Sequence, residues 1–322
     1  MAGALAFIIS ALVATVPMLA TSARPATHPR ASVRPRPPFA VGEVTARFVD
    51  KSRKVHFPGR PAQPRPLMTV IRYPAVGAAS AKDLPGAPPA RASGPFPLVV
   101  FGHGFAVTPA TYFRLLRAWA SAGYVVAAPI FPLENAHAPG GPNETDLINQ
   151  PRDMSVVITR MLALNADPSS PFAGLIDPRR IAVAGQSDGG ETALAVAYDR
   201  YFFDRRVRAA VILSGAKLAG ATGFTFPEPS PALLAVQGTA DTTNLPKYTR
   251  GFYDQARRPK FLLQLLGASH LSPYTVQQPQ LSIVERVTVA FLRRYLNGVR
   301  SAFRRIGTAG NVRGVSTLQS AP

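Results

Sequence analysis

The chain has no cysteine among its 322 residues. That excludes disulfide staples, a thiolate nucleophile, and cysteine-ligated zinc or iron–sulfur sites. Acidic residues are scarce, with 17 Asp+Glu against 36 Lys+Arg and a formal charge of +19. Lysine is scarce as well, since only 6 of those basic residues are lysine. An excess of this size suggests a nucleic-acid partner, but its distribution points elsewhere. Residues 1–94 carry a net +10 and residues 287–322 a net +6, which leaves +3 for the long middle of the chain. No basic motif interleaved with aromatics accompanies the excess, so nucleic acid is not an expected partner. The basic ends suit weak electrostatic contact with an anionic envelope surface.

What the chain does have is apolar material, 47% of its residues, enough for a large buried core. It also has 33 prolines and 25 glycines, and so many loops. Residues 2–20, AGALAFIISALVATVPMLA, carry no charge. Pro17 breaks the run near its end, and Thr21-Ser22-Ala23 offers the small side chains that a signal peptidase reads. The reading is an export signal over 1–23, cleaved near Ala23 or kept as an anchor, on a secreted or envelope-associated protein. A Pro/Arg-rich linker over 24–39 follows. The folded domain is expected over 40–298, with a basic, frayed tail over 299–322.

Within 40–298, strand and helix patterns alternate. VGEVTARFVD and LMTVIRYP alternate loosely and read as two N-terminal antiparallel strands. FPLVVF (96–101) and YVVAAPI (124–130) are continuous apolar runs, as expected of strands buried on both faces. Further strands fit 180–184, 207–213, 232–236 and 260–266. Helical periodicity fits 109–122, 145–164, 189–199, 246–256 and 279–297. The expected fold is α/β, with a mainly parallel central sheet flanked by helices on both faces.

Chemistry concentrates after three of these strands. Gly185-Gln186-Ser187-Asp188-Gly189 is a G-x-S-x-G pentapeptide between the apolar strand IAVA and a helical run. A tight strand-to-helix turn there exposes the serine hydroxyl at a helix N-terminus. A serine needs a base, and of the five histidines His270, just past the strand KFLLQLL, is best placed. His137, in a Pro/Gly-rich loop, is the reserve. Asp241, leaving the strand ALLAV, is expected to orient the imidazole; the alternative is an N-cap or turn role, a common one for aspartate. The oxyanion donors are expected to be the backbone N–H groups of Asp188 and of Phe105 in the Gly102-His103-Gly104-Phe105 loop.

These stretches resemble a known group. VGEVTARFVDKSR with TVIRYPA, GPFPLVVFGHGF, AGYVVAAPIFP, RIAVAGQSDGGETAL and LLAVQGTAD are similar to α/β-hydrolases of the set that includes platelet-activating-factor acetylhydrolase, chlorophyllase-like and dienelactone-hydrolase-like esterases. The likeness covers about residues 41–296. It implies the α/β-hydrolase fold and serine esterase chemistry. Gln186 stands where relatives often carry histidine, and Ser187 stands where dienelactone hydrolases usually carry cysteine. No long helical lid insertion is present.

The expectation is a serine hydrolase of carboxylic esters, working without a cofactor or metal through an acyl-enzyme. Its substrates would be small short-to-medium acyl esters or polymeric esters, with Phe105, Phe131 and the loop 131–150 at the mouth of the site. Activity should fall at acid pH as a histidine base protonates. Peptidase or thioesterase chemistry, or a non-catalytic envelope-binding protein on the same fold, are the alternatives.

Overall fold

The structure, a computed structural model, describes residues 38–322. The export signal and most of the linker lie outside the described residues. Phe39, read as the end of the linker, is docked: its ring meets Phe96 edge-on at 5.3 Å, and its N–H donates to the Ser121 carbonyl.

Two long strands open the described chain, β1 (Ala40–Val55) and β2 (Gln63–Ala75), paired antiparallel. A two-residue strand, β3 (Leu84–Pro85), lies beside β1. Then β4 (Phe96–Gly102), β5 (Val125–Ile130), β6 (Ile176–Gln186), β7 (Val207–Leu213), β8 (Ala232–Gly238) and β9 (Lys260–Leu265) form a parallel block. With β10 (Ser316–Ala321) they make one sheet in the order β10-β9-β8-β7-β6-β4-β5-β2-β1-β3. The helices are α1 (Phe113–Ser121), α2 (Gln150–Ala166), α3 (Asp188–Tyr198), α4 (Pro246–Gln255), α5 (Gln280–Tyr295) and α6 (Ala302–Gly310).

The two-residue period of a strand explains why the apolar runs carry helices on both sides. In β4, Leu98 and Val100 join a core with Met154, Val157 and Ile158 of α2 and with Leu194 of α3. Val99 and Phe101 point the other way, to Leu115, Leu116 and Trp119 of α1 and to Val287 and Phe291 of α5. Each large side chain so buried contributes roughly 1.5–3 kcal/mol. On the second face, the Trp119 indole N–H donates to Thr288 Oγ1 at 2.8 Å, so α1 and α5 share a hydrogen bond where both are dry.

The tail is a correction. Residues after Gly298 form α6, which seats Ile306 in the core, and β10, which pairs antiparallel with β9 from Ser316↔Leu265 to Ala321↔Lys260. The segment is ordered through backbone ladder bonds, which polar side chains do not prevent. Ser316 is the one fully buried residue of β10.

One buried ion cluster fixes the segment leading to α2. Arg65 of β2 is 2% exposed. Its guanidinium reaches both carboxylate oxygens of Asp153, at 2.7–3.0 Å, and both of Asp146, at 2.9 and 2.5 Å. This pins the 3-10 turn 144–149 and the first turn of α2 to the antiparallel part of the sheet. Arg65→Met leaves two buried carboxylates without their main cation. It is expected to lower stability by about 3–5 kcal/mol, read as a drop in the urea midpoint. An unchanged midpoint would show that the cluster is not needed.

Candidate active site

Four strands bring the candidate residues to one edge. β4, β6, β8 and β9 run parallel, so the loops after them open on the same side of the sheet. They carry His103–Phe105, Ser187, Asp241 and His270 in that order.

Ser187 is the single residue between β6 and α3. Its backbone sits at φ 55°, ψ −125°, which a side-chain-bearing residue rarely adopts and which costs about 1–3 kcal/mol. The surroundings enforce it. Ser187 N–H donates to the Leu213 carbonyl at 3.0 Å, and the Ser187 carbonyl accepts from Glu191 N–H at 2.9 Å. The flanking glycines are steric necessities. A Cβ on Gly185 would lie 1.9 Å from the Gly189 carbonyl oxygen, and one on Gly189 would lie 2.1 Å from that of Gly102.

Ser187 Oγ lies 2.9 Å from His270 Nε2, and His270 Nδ1 lies 2.8 Å from Asp241 Oδ2. The imidazole is 19% exposed and the carboxylate not at all. The ring therefore reaches the surface, while the acid stays dry. Asp241 is heavily bonded. Its Oδ1 accepts from Thr243 N–H and Asn244 N–H at 2.9 and 3.0 Å, and its Oδ2 accepts from Gln237 Nε2 at 3.1 Å as well as facing the ring. Burial pushes the carboxyl up, but the bonds from His270 and the backbone outweigh it and hold Asp241 below the usual carboxylate range. The turn bonds and the bond to the imidazole thus coexist in one side chain.

The supporting groups carry little sequence signal. Gln237 ends β8 and accepts from Thr249 Oγ1 at 2.6 Å, so its amide nitrogen must face Asp241. Gln186 accepts from the Tyr112 hydroxyl at 2.6 Å and donates to the His270 carbonyl at 3.0 Å, anchoring the loop that presents the imidazole. These bonds give Gln186 a supporting place beside the imidazole. Tyr112 stands in the helical stretch 109–122, where the sequence gives it no distinguishing mark.

The His103 loop packs directly on the serine. A Cβ on Gly104 would stand 3.1 Å from Ser187 Cβ. Gly104 N–H donates to Tyr112 and Ala106 N–H to the Glu134 carbonyl. Between them, the N–H of Phe105 has no acceptor among the described residues, and neither has that of Asp188 at the start of α3. His103 is fully buried. Its Nδ1 faces the Gly104 carbonyl at 2.8 Å, and its Nε2 accepts from Phe131 N–H at 3.0 Å. Both contacts fit a neutral ring, and burial pushes its pKa down to about 4. It shapes the loop. Phe131, expected at the mouth, is fully buried against that ring, at 4.8 Å between centroids, whereas Phe105 is 42% exposed. Among the described residues no bond joins the His137 ring to Ser187 or Asp241; it is His270 that meets both.

Comparison with known proteins agrees with this architecture. The Chlorophyllase family description matches residues 74–221, a span that includes the His103 loop and Ser187 but neither Asp241 nor His270. Chlorophyllase-2 of Arabidopsis thaliana is 25% identical over 174 residues, 52% of this chain and 50% of its own length, so the chain spans about half of that curated relative. Among solved structures, a ferulic acid esterase from Streptomyces cinnamoneus superposes with a TM-score of 0.62 at 24% identity, covering 83% of this chain and 93% of its own. The fold is that of the α/β-hydrolases. The chlorophyllase likeness falls within the set of esterases that the sequence resembles.

Proposed function

We propose that this chain is an exported serine hydrolase of carboxylic esters. The observation that carries the reading is the hydrogen-bonded row Ser187–His270–Asp241 at the carboxyl edge of the sheet. Ser187 Oγ attacks the ester carbonyl while His270 Nε2 takes its proton. Asp241 holds the ring with Nδ1 protonated and Nε2 free to accept. The carbonyl oxygen, now an anion, moves toward the N–H groups of Phe105 and Asp188. His270 then returns the proton to the leaving alcohol, and water repeats the sequence on the acyl-enzyme.

Esters are favoured over amides and thioesters because the structural neighbour that covers 83% of this chain is by its name a ferulic acid esterase. Short-to-medium acyl or polymer-borne esters fit an edge without an inserted helical lid. The uncharged run at 2–20 supports export.

The test is covalent labelling with a fluorophosphonate probe, followed by p-nitrophenyl esters of rising acyl length, a feruloyl ester, a thioester and a peptide amide. Labelling located at Ser187 and turnover highest on an ester of short or medium chain are expected. An unlabelled protein would favour a binding role. Turnover confined to long acyl chains, or to the amide or thioester, would overturn the substrate class.

A further inference from the structure

Glu134 is a buried acid that this chemistry leaves unused. It has no exposed surface, and neither carboxyl oxygen has a donor among the described residues. The carboxyl meets that of Asp188, whose Oδ2 is likewise unpartnered. Two buried carboxyls in contact do not both ionise; one proton between them gives each side a partner. The charges acting on Glu134 are Asp188 at the start of α3 and Asp146 and Glu144 from the turn 144–149, all acidic. Asp188 also acts on Glu191, itself buried one turn along α3. The nearby cation Arg65 is committed to Asp146 and Asp153. Burial first, then Asp188, pushes the Glu134 carboxyl up to about 11.

The main chain of Glu134 serves the same place. Its carbonyl accepts from Ala106 N–H at 3.0 Å, and Ala136 N–H donates to the Val107 carbonyl at 3.3 Å, so the segment 134–136 braces the loop holding Phe105. Meanwhile Asp188 Oδ1 is 3.5 Å from Ser187 Oγ, close enough for its charge to oppose a developing anion.

We propose that Glu134 is a positioning residue of the oxyanion hole: as a neutral acid it donates its O–H to the Asp188 carboxylate and holds that charge aside, while its carbonyl braces the Phe105 loop. This rests on the esterase reading above.

The experiment compares wild type, Glu134→Gln, Glu134→Ala and Glu134→Ala/Asp188→Asn on p-nitrophenyl butyrate. Rates are normalised by fluorophosphonate labelling, and thermal unfolding is followed from pH 5 to 9. The glutamine amide can donate as the acid does, so Glu134→Gln should keep kcat within about threefold. Glu134→Ala should lose about 10–100-fold in kcat with KM little changed. Asp188→Asn in that background should restore most of the loss, because no charge then remains to be held aside.

A group whose folded pKa is raised from 4.5 to about 11 keeps its proton on folding and releases it on unfolding throughout this window. Wild-type Tm should therefore fall with rising pH by one proton's worth more than that of Glu134→Gln. The proposal is overturned if Glu134→Ala keeps full kcat, if Glu134→Gln is as impaired as Glu134→Ala, if Asp188→Asn does not rescue, or if the two unfolding slopes are equal. Should Glu134→Ala fail to fold, the glutamine comparison and the slopes still decide. Absence of wild-type labelling would sink the esterase reading and the oxyanion role with it, and the slopes would then report on the Glu134–Asp188 bond alone.

Discussion

Replacing Ser187 by alanine is expected to lower kcat/KM on a p-nitrophenyl ester by about 10⁵-fold or more, a loss of roughly 7 kcal/mol in transition-state stabilisation. The size follows from the role. Without Oγ there is no acyl-enzyme, and the N–H groups of Phe105 and Asp188 are left to assist direct attack by water. The fold should survive, because alanine keeps the Cβ and meets the same strain at φ 55° that serine already bears. The Tm is therefore expected to stay within about 2 °C of wild type. Glycine separates strain from chemistry. Ser187→Gly should be equally inactive yet more stable by up to about 1 kcal/mol, since a positive φ suits glycine. Residual turnover above about one per cent of wild type in either variant, in protein free of wild-type contamination, would place the nucleophile elsewhere.

The reach of sequence reading here follows the kind of force involved. β4, β5, β7 and α5 were legible because burial on both faces, or on one stripe, demands apolar runs of fixed period. The serine turn was legible because crossing backbones admit only glycine at 185 and 189. α6 and β10 were not. AFRRIGTAG has two glycines and places little more than Ala302 and Ile306 in the core, and STLQSA is an edge strand held by its backbone to β9. Backbone pairing leaves no mark on side-chain identity. The polar support of the site was hidden for a related reason. Tyr112 and Glu134 lie far in sequence from some of the groups they hold, and a lone polar residue at the end of an apolar run, such as Gln237, carries no periodicity. Only the fold shows that Gln237 faces Asp241 and that Glu134 faces Asp188.

Asp241→Asn is the sharper test of the proton path, because it changes almost no atoms. The Oδ1 position accepts two backbone N–H groups, from Thr243 and Asn244, so the asparagine oxygen must stay there. Its NH₂ is forced into the Oδ2 position, against the Gln237 amide nitrogen and His270 Nδ1. Gln237 cannot flip to accept, since its oxygen takes the Thr249 hydroxyl and its nitrogen also donates to the carbonyls of Gly238 and Asn244. The imidazole must then accept at Nδ1 and carry its proton on Nε2, where it can no longer receive the proton of Ser187. The expected loss in kcat is about 10⁴-fold, the size reached when a triad histidine is held in the wrong tautomer. The donor–donor contact with Gln237 should also cost about 1–3 kcal/mol of stability. Proton NMR reports the cause directly: a downfield Nδ1–H resonance in the wild type should vanish in the variant. A kcat within tenfold of wild type would show that the Asp241 carboxylate does not set the tautomer of His270, and the base would then have to be oriented by Gln186 and the backbone alone.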